Sequence, residues 1–452
     1  MTIDSNTERD SRAINSPVSS GDVYDDELAS PAALRSQGRT RRKARPMAPA
    51  MNRLRRSGLS LLVLPAIAAV TTRELVADAV HKIEERRPAG PPQPGFERPS
   101  EMPDGADLSI DDIVDSLQRF PYRPKPMSTH RAFLDTFGAE GFGLLTANKP
   151  ALQSFPHLYP RQFRKCLLEG ADGVRLSGLK AMHDTPGPVL IICHGLLTSK
   201  NFDYVRSVAL RAFFQWGFHV VTFDLRGWGE SAWTTDAPSS AGYEEGRDLV
   251  EIARDLHRDP LVTSVGVMGF SLGGSTVLNA ARHTSREADS PIDGGVMSLN
   301  APTDIARATE YIGKRPMSIR HPYFGIYYLF RTSMKAGIRR QGYDINRFAD
   351  WKELAAQIAA PYYGVTPEEF DARASAVNFA SEIRVPTLHM HATDDFVVPV
   401  DHAFRLDEAR QGNPNVRVWV VPQGNHCGFS SIDPQWYYSV VRRWFEYWAR
   451  EA

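Results

Sequence analysis

Val265-Gly266-Val267-Met268-Gly269-Phe270-Ser271-Leu272-Gly273-Gly274 is the stretch whose reading decides the fold. An apolar run with strand character meets a serine that has glycine two residues before it and two after. A serine on a sharp strand-to-helix turn sits in a strained backbone conformation, so the positions beside it must be small. Gly269 and Gly273 supply that space, and Ser275-Thr276-Val277-Leu278-Asn279-Ala280-Ala281-Arg282 continues as a helix-like segment. The string predicts an elbow that lifts Ser271 clear of the end of a strand.

Outward from the elbow, strand-like runs fall at 162–169, 174–183, 189–193, 219–223, 264–268, 295–299, 387–391 and 416–421. Helix-like runs at 204–216, 243–257, 275–283, 402–408 and 435–450 separate most of them. Apolar strands alternating with amphipathic helices predict an α/β fold with a mainly parallel sheet covered on both faces. Between residues 300 and 381 the alternation breaks into an aromatic cluster, Tyr323 to Phe330, followed by polar helical segments. An insertion there lies over the carboxyl ends of the strands, where such sheets bind ligands, and reads as a small helical cap over 303–380. The core is then 161–302 with 381–452.

The 452 residues and 42% hydrophobic content suffice for one large α/β domain with additions. Formal net charge is zero, which gives the whole molecule no bias toward nucleic acid. Three cysteines, Cys166, Cys193 and Cys427, form neither a disulfide framework nor a metal-ligand spacing. No glycine-rich phosphate cradle follows a strand, so neither a cofactor nor a metal is expected.

The N-terminal part is different in kind. Residues 1–57 are polar, lack an apolar period and carry a basic run from Arg35 to Arg56; their composition predicts a disordered tail. Residues 58–86 combine a short apolar run, broken by Pro65, with a stretch whose Leu75, Val76, Ala79, Val80 and Ile83 share a helical face. Three readings stand for this element: a helix packed on the core, a membrane-surface anchor giving peripheral contact through residues 35–86, or an export signal with translation starting at Met51. The first two keep the protein cytoplasmic, and the second makes it membrane-associated. Residues 87–106 form a proline-rich linker and 107–160 an N-terminal extension.

A serine hydroxyl becomes a useful nucleophile only when a base takes its proton and a third group orients that base. His426, in Gly424-Asn425-His426-Cys427-Gly428-Phe429 just past the last strand, is the best placed base. Asp394 and Asp395, side by side after the next-to-last strand, both qualify as the acid, and Asp304 is an outside alternative. The oxyanion of a tetrahedral intermediate needs backbone donors already in place. The amides of Leu272, after the serine, and Leu196, in the turn His194-Gly195-Leu196-Leu197, are the candidates. His194 and Trp228 are candidates for the pocket rim, His194 being read also as a turn residue. Asp224 and Arg226 are read as fixing their own loop.

Taken together, these motifs resemble the α/β-hydrolase superfamily, within it a branch of bacterial esterases and membrane-tethered lipid esterases. The shared features are the His194-Gly195-Leu196 turn, the Gly269 to Gly273 elbow, the Asp394-Asp395 loop and the Gly424 to Phe429 ending, over about 290 residues from Arg161. The resemblance implies an eight-stranded, mostly parallel sheet, no cofactor, and hydrolysis of a small-molecule or lipid ester through an acyl-enzyme. By the Asp-x-Val-x-Pro form of the loop it favours Asp395 as the acid. Asn425 and Trp228 depart from the commoner glycine and histidine. Acyl transfer from the same intermediate, and a non-catalytic role at a membrane or partner, are the alternatives.

Overall fold

The computed structural model describes residues 109–120, 122–124, 159–313, 351–429, 432–433 and 435–449, the side chain of Trp351 excepted. The expected tail, apolar segment and linker (1–57, 58–86 and 87–106) lie outside the described residues, as do most of 107–160 and the aromatic cluster from Tyr323 to Phe330.

Eight strands build one sheet: β1 (Arg164–Glu169), β2 (Arg175–Ala181), β3 (Gly187–Cys193), β4 (His219–Phe223), β5 (Val262–Phe270), β6 (Val296–Leu299), β7 (Thr387–Ala392) and β8 (Val416–Val421). Their order across the sheet is β1-β2-β4-β3-β5-β6-β7-β8. β1 and β2 pair antiparallel with their neighbours, and every pairing from β4 to β8 is parallel. β3 at the centre reads Gly-Pro-Val-Leu-Ile-Ile-Cys and is buried at every position, as a strand covered on both faces requires.

Period-two alternation sorts the strand residues into two cores. Leu190, Ile192, Val220, Met268, Phe270, Met297 and Leu299 face one cluster, which includes α1 (Ile110–Gln118), α2 (Asp203–Phe214) and a C-terminal helix over Trp436–Trp448. Val189, Ile191, Val221, Phe223, Val265, Val267 and Val296 face the other, which includes α3 (Tyr243–Leu256) and α4 (Leu272–Thr284). The sheet is therefore sandwiched, and the polar ends of its strands are the free places for a site.

Most boundaries shift by about one or two residues from the sequence reading, and two of the shifts lie at the elbow. β5 runs from Val262 to Phe270, longer than 264–268, and α4 begins at Leu272 rather than Ser275. Apolar periodicity was weak over Leu272-Gly273-Gly274, because glycine there serves close packing and not helix propensity. Further helices are α5 (Ile305–Gly313), α6 (Pro367–Ala374) and α7 (Asp401–Ala409), and the C-terminal helix over Trp436–Trp448 becomes α8. Within 303–380 the described segments are helical or turn. No described helix is long and apolar enough to cross a membrane.

Candidate active site

Ser271 stands between the last residue of β5 and the first of α4 with φ 54° and ψ −115°. A non-glycine residue in such a conformation carries strain of order 1–3 kcal/mol, held in place by the structure around it. The restraint is visible on both sides. A Cβ on Gly269 would drive into the backbone carbonyl of Gly273, and one on Gly273 would lie 2.5 Å from the carbonyl oxygen of Cys193. The two glycines let the strand and helix close to backbone contact beside β3. The Ser271 amide donates to the carbonyl of Leu299 at 2.8 Å, tying the elbow to the end of β6.

β6 also receives the second half of the site. Asn300, immediately after it, is fully buried with φ 47°, a backbone region that asparagine tolerates better than most residues. Its side-chain amide donates to Asp395 Oδ2 and to the carbonyl of Asn425, at 3.0 Å for the latter. Thus one residue bridges the loop after β7 and the loop after β8. Nothing local in the sequence marks Asn300, whose partners lie 95 and 125 positions away.

Asp395 Oδ2 accepts from His426 Nδ1 at 2.8 Å, and its Oδ1 accepts from the amides of Val397 and Val398 at 2.8 and 2.9 Å. Burial alone would raise the Asp395 pKa, but the His426 pair and the other donors outweigh it and hold the carboxyl below its ordinary value. Asp394 does something else. Its Oδ1 accepts from the amides of Gly424 and Asn425 at 2.7 and 2.9 Å, so it holds the backbone of the histidine loop and not the imidazole. Asp304 pairs instead with Arg405 at 3.1 Å.

On the other side of the elbow, Gly195 sits against Ser271: a Cβ there would be 3.3 Å from that of Ser271. The Gly195 amide is already committed to the Tyr204 hydroxyl at 2.8 Å. Leu196 follows it in the turn, and Leu272 opens α4, where the first amides have no carbonyl a turn behind them within the helix.

His194 departs from the rim expectation. It is fully buried, its Nδ1 hydrogen-bonds the Gly195 carbonyl at 2.7 Å, and its Nε2 accepts from the Leu225 amide at 3.0 Å. Burial holds it below the ordinary histidine pKa. With both nitrogens spent inside the turn, His194 braces the β3 and β4 loops against each other. Trp228 is half-buried and packs against the α3/α4 core.

Beneath this turn lies a charged network of which the sequence hinted only at parts. Lys200 is 1% exposed; its ammonium contacts Asp224 at 2.6 Å, Glu230 at 3.1 Å and Ser177 at 3.2 Å, while its own amide donates to Asp224 at 2.7 Å. Burial would lower the Lys200 pKa, but Asp224 and Glu230 outweigh it and raise it. Burial likewise pushes Glu230 upward, and Lys200 reverses this, bringing it down to about 2. Asp224 thus fixes the neighbouring turn as well as its own loop. Arg226 reaches α3 instead, where Asp248 receives it at 2.7 and 2.5 Å.

A family model described as "Alpha/beta hydrolase family" matches residues 189–440, more than half of the chain, from within β3 through β8 and into the start of α8. The chain belongs to the alpha/beta hydrolase family. Among curated relatives it is 25% identical over 261 residues to a monoacylglycerol lipase of Saccharomyces cerevisiae, covering 55% of this chain and 56% of that protein. It is also 27% identical over 158 residues to the lysophosphatidylserine lipase ABHD12 of Xenopus tropicalis, covering 35% and 38%. The chain therefore spans about half, or less, of the length of these relatives. Among solved structures it is similar to the Pyrococcus furiosus esterase Pf2001, at 17% identity and a TM-score of 0.45, covering 66% of this chain and 94% of the esterase. Among the described residues of this family member no cluster of His, Cys, Asp or Glu is arranged to hold a metal ion.

Proposed function

We propose that this hydrolase is a serine esterase or lipase that cleaves a carboxylic ester with an apolar acyl or alcohol part through an acyl-enzyme. The observation that carries the reading is the convergence at the end of β6: the Leu299 carbonyl accepts from the amide of Ser271, and the Asn300 side chain donates to Asp395 and to the Asn425 carbonyl in the His426 loop. In this reading Ser271 Oγ attacks the ester carbonyl carbon while His426 Nε2 takes its proton. The Asp395 bond at Nδ1 fixes the tautomer that leaves Nε2 free to accept, and stabilises the imidazolium once formed. Negative charge gathering on the carbonyl oxygen meets the amides of Leu196 and Leu272. Commitment of the Gly195 amide to Tyr204 favours Leu196 over its neighbour for this task. Collapse breaks the C–O bond, and the departing alkoxide takes the proton from His426. Water then repeats the sequence on the acyl-Ser271 ester, losing its proton to His426 and releasing the acid.

The lipase names of the curated relatives support an apolar ester as the substrate class. Peripheral membrane contact through residues 35–86 belongs to the same proposal, and its test is co-sedimentation of the full chain and of a variant lacking residues 1–87 with phospholipid vesicles. Binding that survives the deletion refutes that element. For the chemistry, a chain-length series of p-nitrophenyl esters is the test. The reading expects turnover that depends on acyl length and disappears in Ser271→Ala; turnover retained by that variant overturns it.

A further inference from the structure

Next to Asp395 lies a chain of buried side chains that the proposed chemistry does not use. Ser298 on β6 and His389 and His391 on β7 are all fully buried. Four contacts link them. Ser298 Oγ lies 3.2 Å from the carbonyl oxygen of Gly274 in α4 and 3.0 Å from His389 Nδ1; His389 Nε2 lies 3.2 Å from His391 Nδ1; His391 Nε2 lies 2.9 Å from the carbonyl oxygen of Val398. Both ends of this chain are carbonyls, which only accept.

Counting hydrogens settles its direction. With neutral rings, one hydroxyl and two imidazoles bring three hydrogens to four contacts, so one contact goes without. The expendable one is Ser298 to Gly274, because the Gly274 carbonyl lies within α4, where the helical ladder supplies it with a donor. The remaining three then run one way: Ser298 donates to His389, His389 Nε2–H donates to His391, and His391 Nε2–H donates to Val398. A doubly protonated ring would fill the fourth contact, but burial holds both histidines below their ordinary pKa. The other titratable groups close to the pair are Asp395, His426, His402 and Asp401, with Asp304 against His402.

The receiving end matters for the site. Val398 is gripped twice, its carbonyl by His391 and its amide by Asp395 Oδ1 at 2.9 Å. The same His391 Nε2 lies 3.8 Å from Asp395 Oδ2, the oxygen that takes His426. We propose that Ser298, His389 and His391 form a tautomer-locked, one-way hydrogen-bond chain whose terminal N–H clamps the Val397–Val398 loop and faces the Asp395 carboxylate, making His391 a positioning residue for the His426–Asp395 pair. The inference rests on the ester-hydrolase reading, which gives that pair its task.

The test compares the full-length wild type with His391→Leu, His391→Gln, Ser298→Ala and Ser271→Ala, using p-nitrophenyl butyrate kinetics and the far low-field proton resonance of the His426–Asp395 hydrogen bond. His391→Leu is expected to lower kcat about tenfold or more with KM unchanged, as small misplacements of catalytic groups do, and to shift or broaden the resonance. His391→Gln, which restores an N–H donor, is expected to recover most of both. Ser298→Ala, which unlocks the His389 tautomer, is expected to shift the resonance with a smaller loss of kcat. Wild-type kcat and resonance in a folded His391→Leu overturn the proposal, and so does a His391→Gln variant no better than leucine, which would mark a packing role. If the leucine variant does not fold, a Ser298→Ala variant with an unmoved resonance overturns it. An active Ser271→Ala would instead sink the ester-hydrolase reading, whichever way His391 behaves.

Discussion

The elbow and the loops that carry Asp395 and His426 do the same job, fixing a side chain at a strand end, by opposite physical means. Ser271 is held by shape. Its neighbours Gly269 and Gly273 permit backbone-to-backbone contact that no side chain would allow, and the strain at φ 54° is sustained by that packing. Asp395 and His426 are held by hydrogen bonds: two loop amides, the Asn300 side chain and the Asp394 carboxylate share the work. A site held by shape needs a local pattern of small residues. One held by hydrogen bonds needs partners gathered from distant parts of the chain, and each can be removed singly without filling or emptying space.

The sharpest way to break this contrast is through the paired aspartates. Asp395→Asn keeps the shape of the loop but deprives His426 of its ionised partner and offers the wrong tautomer; kcat should fall by about 10⁴-fold, and melting temperature should fall as well, because the new NH2 must face a buried donor, either Asn300 or the Val397 and Val398 amides. Asp394→Asn should cost far less activity, because Asp394 binds only the backbone of the loop. Equal losses in steady-state kinetics would mean that the two carboxylates are not distinguished as their hydrogen bonds imply.

The elbow should respond in stability more than in chemistry alone. Gly269→Ala forces a methyl group onto the Gly273 carbonyl, an overpacked backbone contact for which about 3 kcal/mol or more of destabilisation is expected, measured by urea unfolding. A variant as stable as the wild type would remove the steric account of the elbow. Asn300→Ala should be milder, about 1–3 kcal/mol, since it strips a buried donor from Asp395 and from the Asn425 carbonyl. It should also slow turnover, and unchanged kinetics would show that the bridge between the two loops is not needed to aim His426.

The last expected effect concerns pH. Burial lowers the pKa of His402 and of His283 to about 4 from an ordinary 6.5. In the unfolded chain these groups take up protons near 6.5, whereas in the folded chain they resist until about 4, so the unfolded state binds more protons between those values. Stability should therefore decline as pH falls from about 6.5 to 4, by roughly a kcal/mol or more per group over the first unit below that range's top. Thermal melts at constant ionic strength check it; a flat profile would contradict the neutral, buried assignment of these histidines.

The same contrast explains what could be read in advance. β5, the turn and Ser271 were legible because a strand period, two glycines and a serine lie within ten residues. The parallel sheet was legible from apolar runs such as 189–193, whose shortness, continuous apolar character and β-branched residues mark a strand buried on both faces. His426 could be named as a candidate from its place after the last strand, whereas choosing between Asp394 and Asp395 needed the resemblance, because composition treats the two alike. Asn300, His391 and Lys200 were missed for a common physical reason. Each is a buried polar residue whose meaning is its partners, and those partners come from other strands and loops. His194 could be read only as a pair of alternatives, rim or turn residue, and its hydrogen bonds favour the turn, since a histidine beside a strand end looks the same in sequence whether its nitrogens face solvent or are spent on the backbone.

Reaction of the full-length protein with a fluorophosphonate, followed by peptide mapping in the mass spectrometer, tests the central claim most directly. The account predicts one adduct, on Ser271, absent from Ser271→Ala and formed far more slowly in Asp395→Asn. Undiminished labelling of Ser271→Ala, or an adduct at another serine in the wild type, would contradict it.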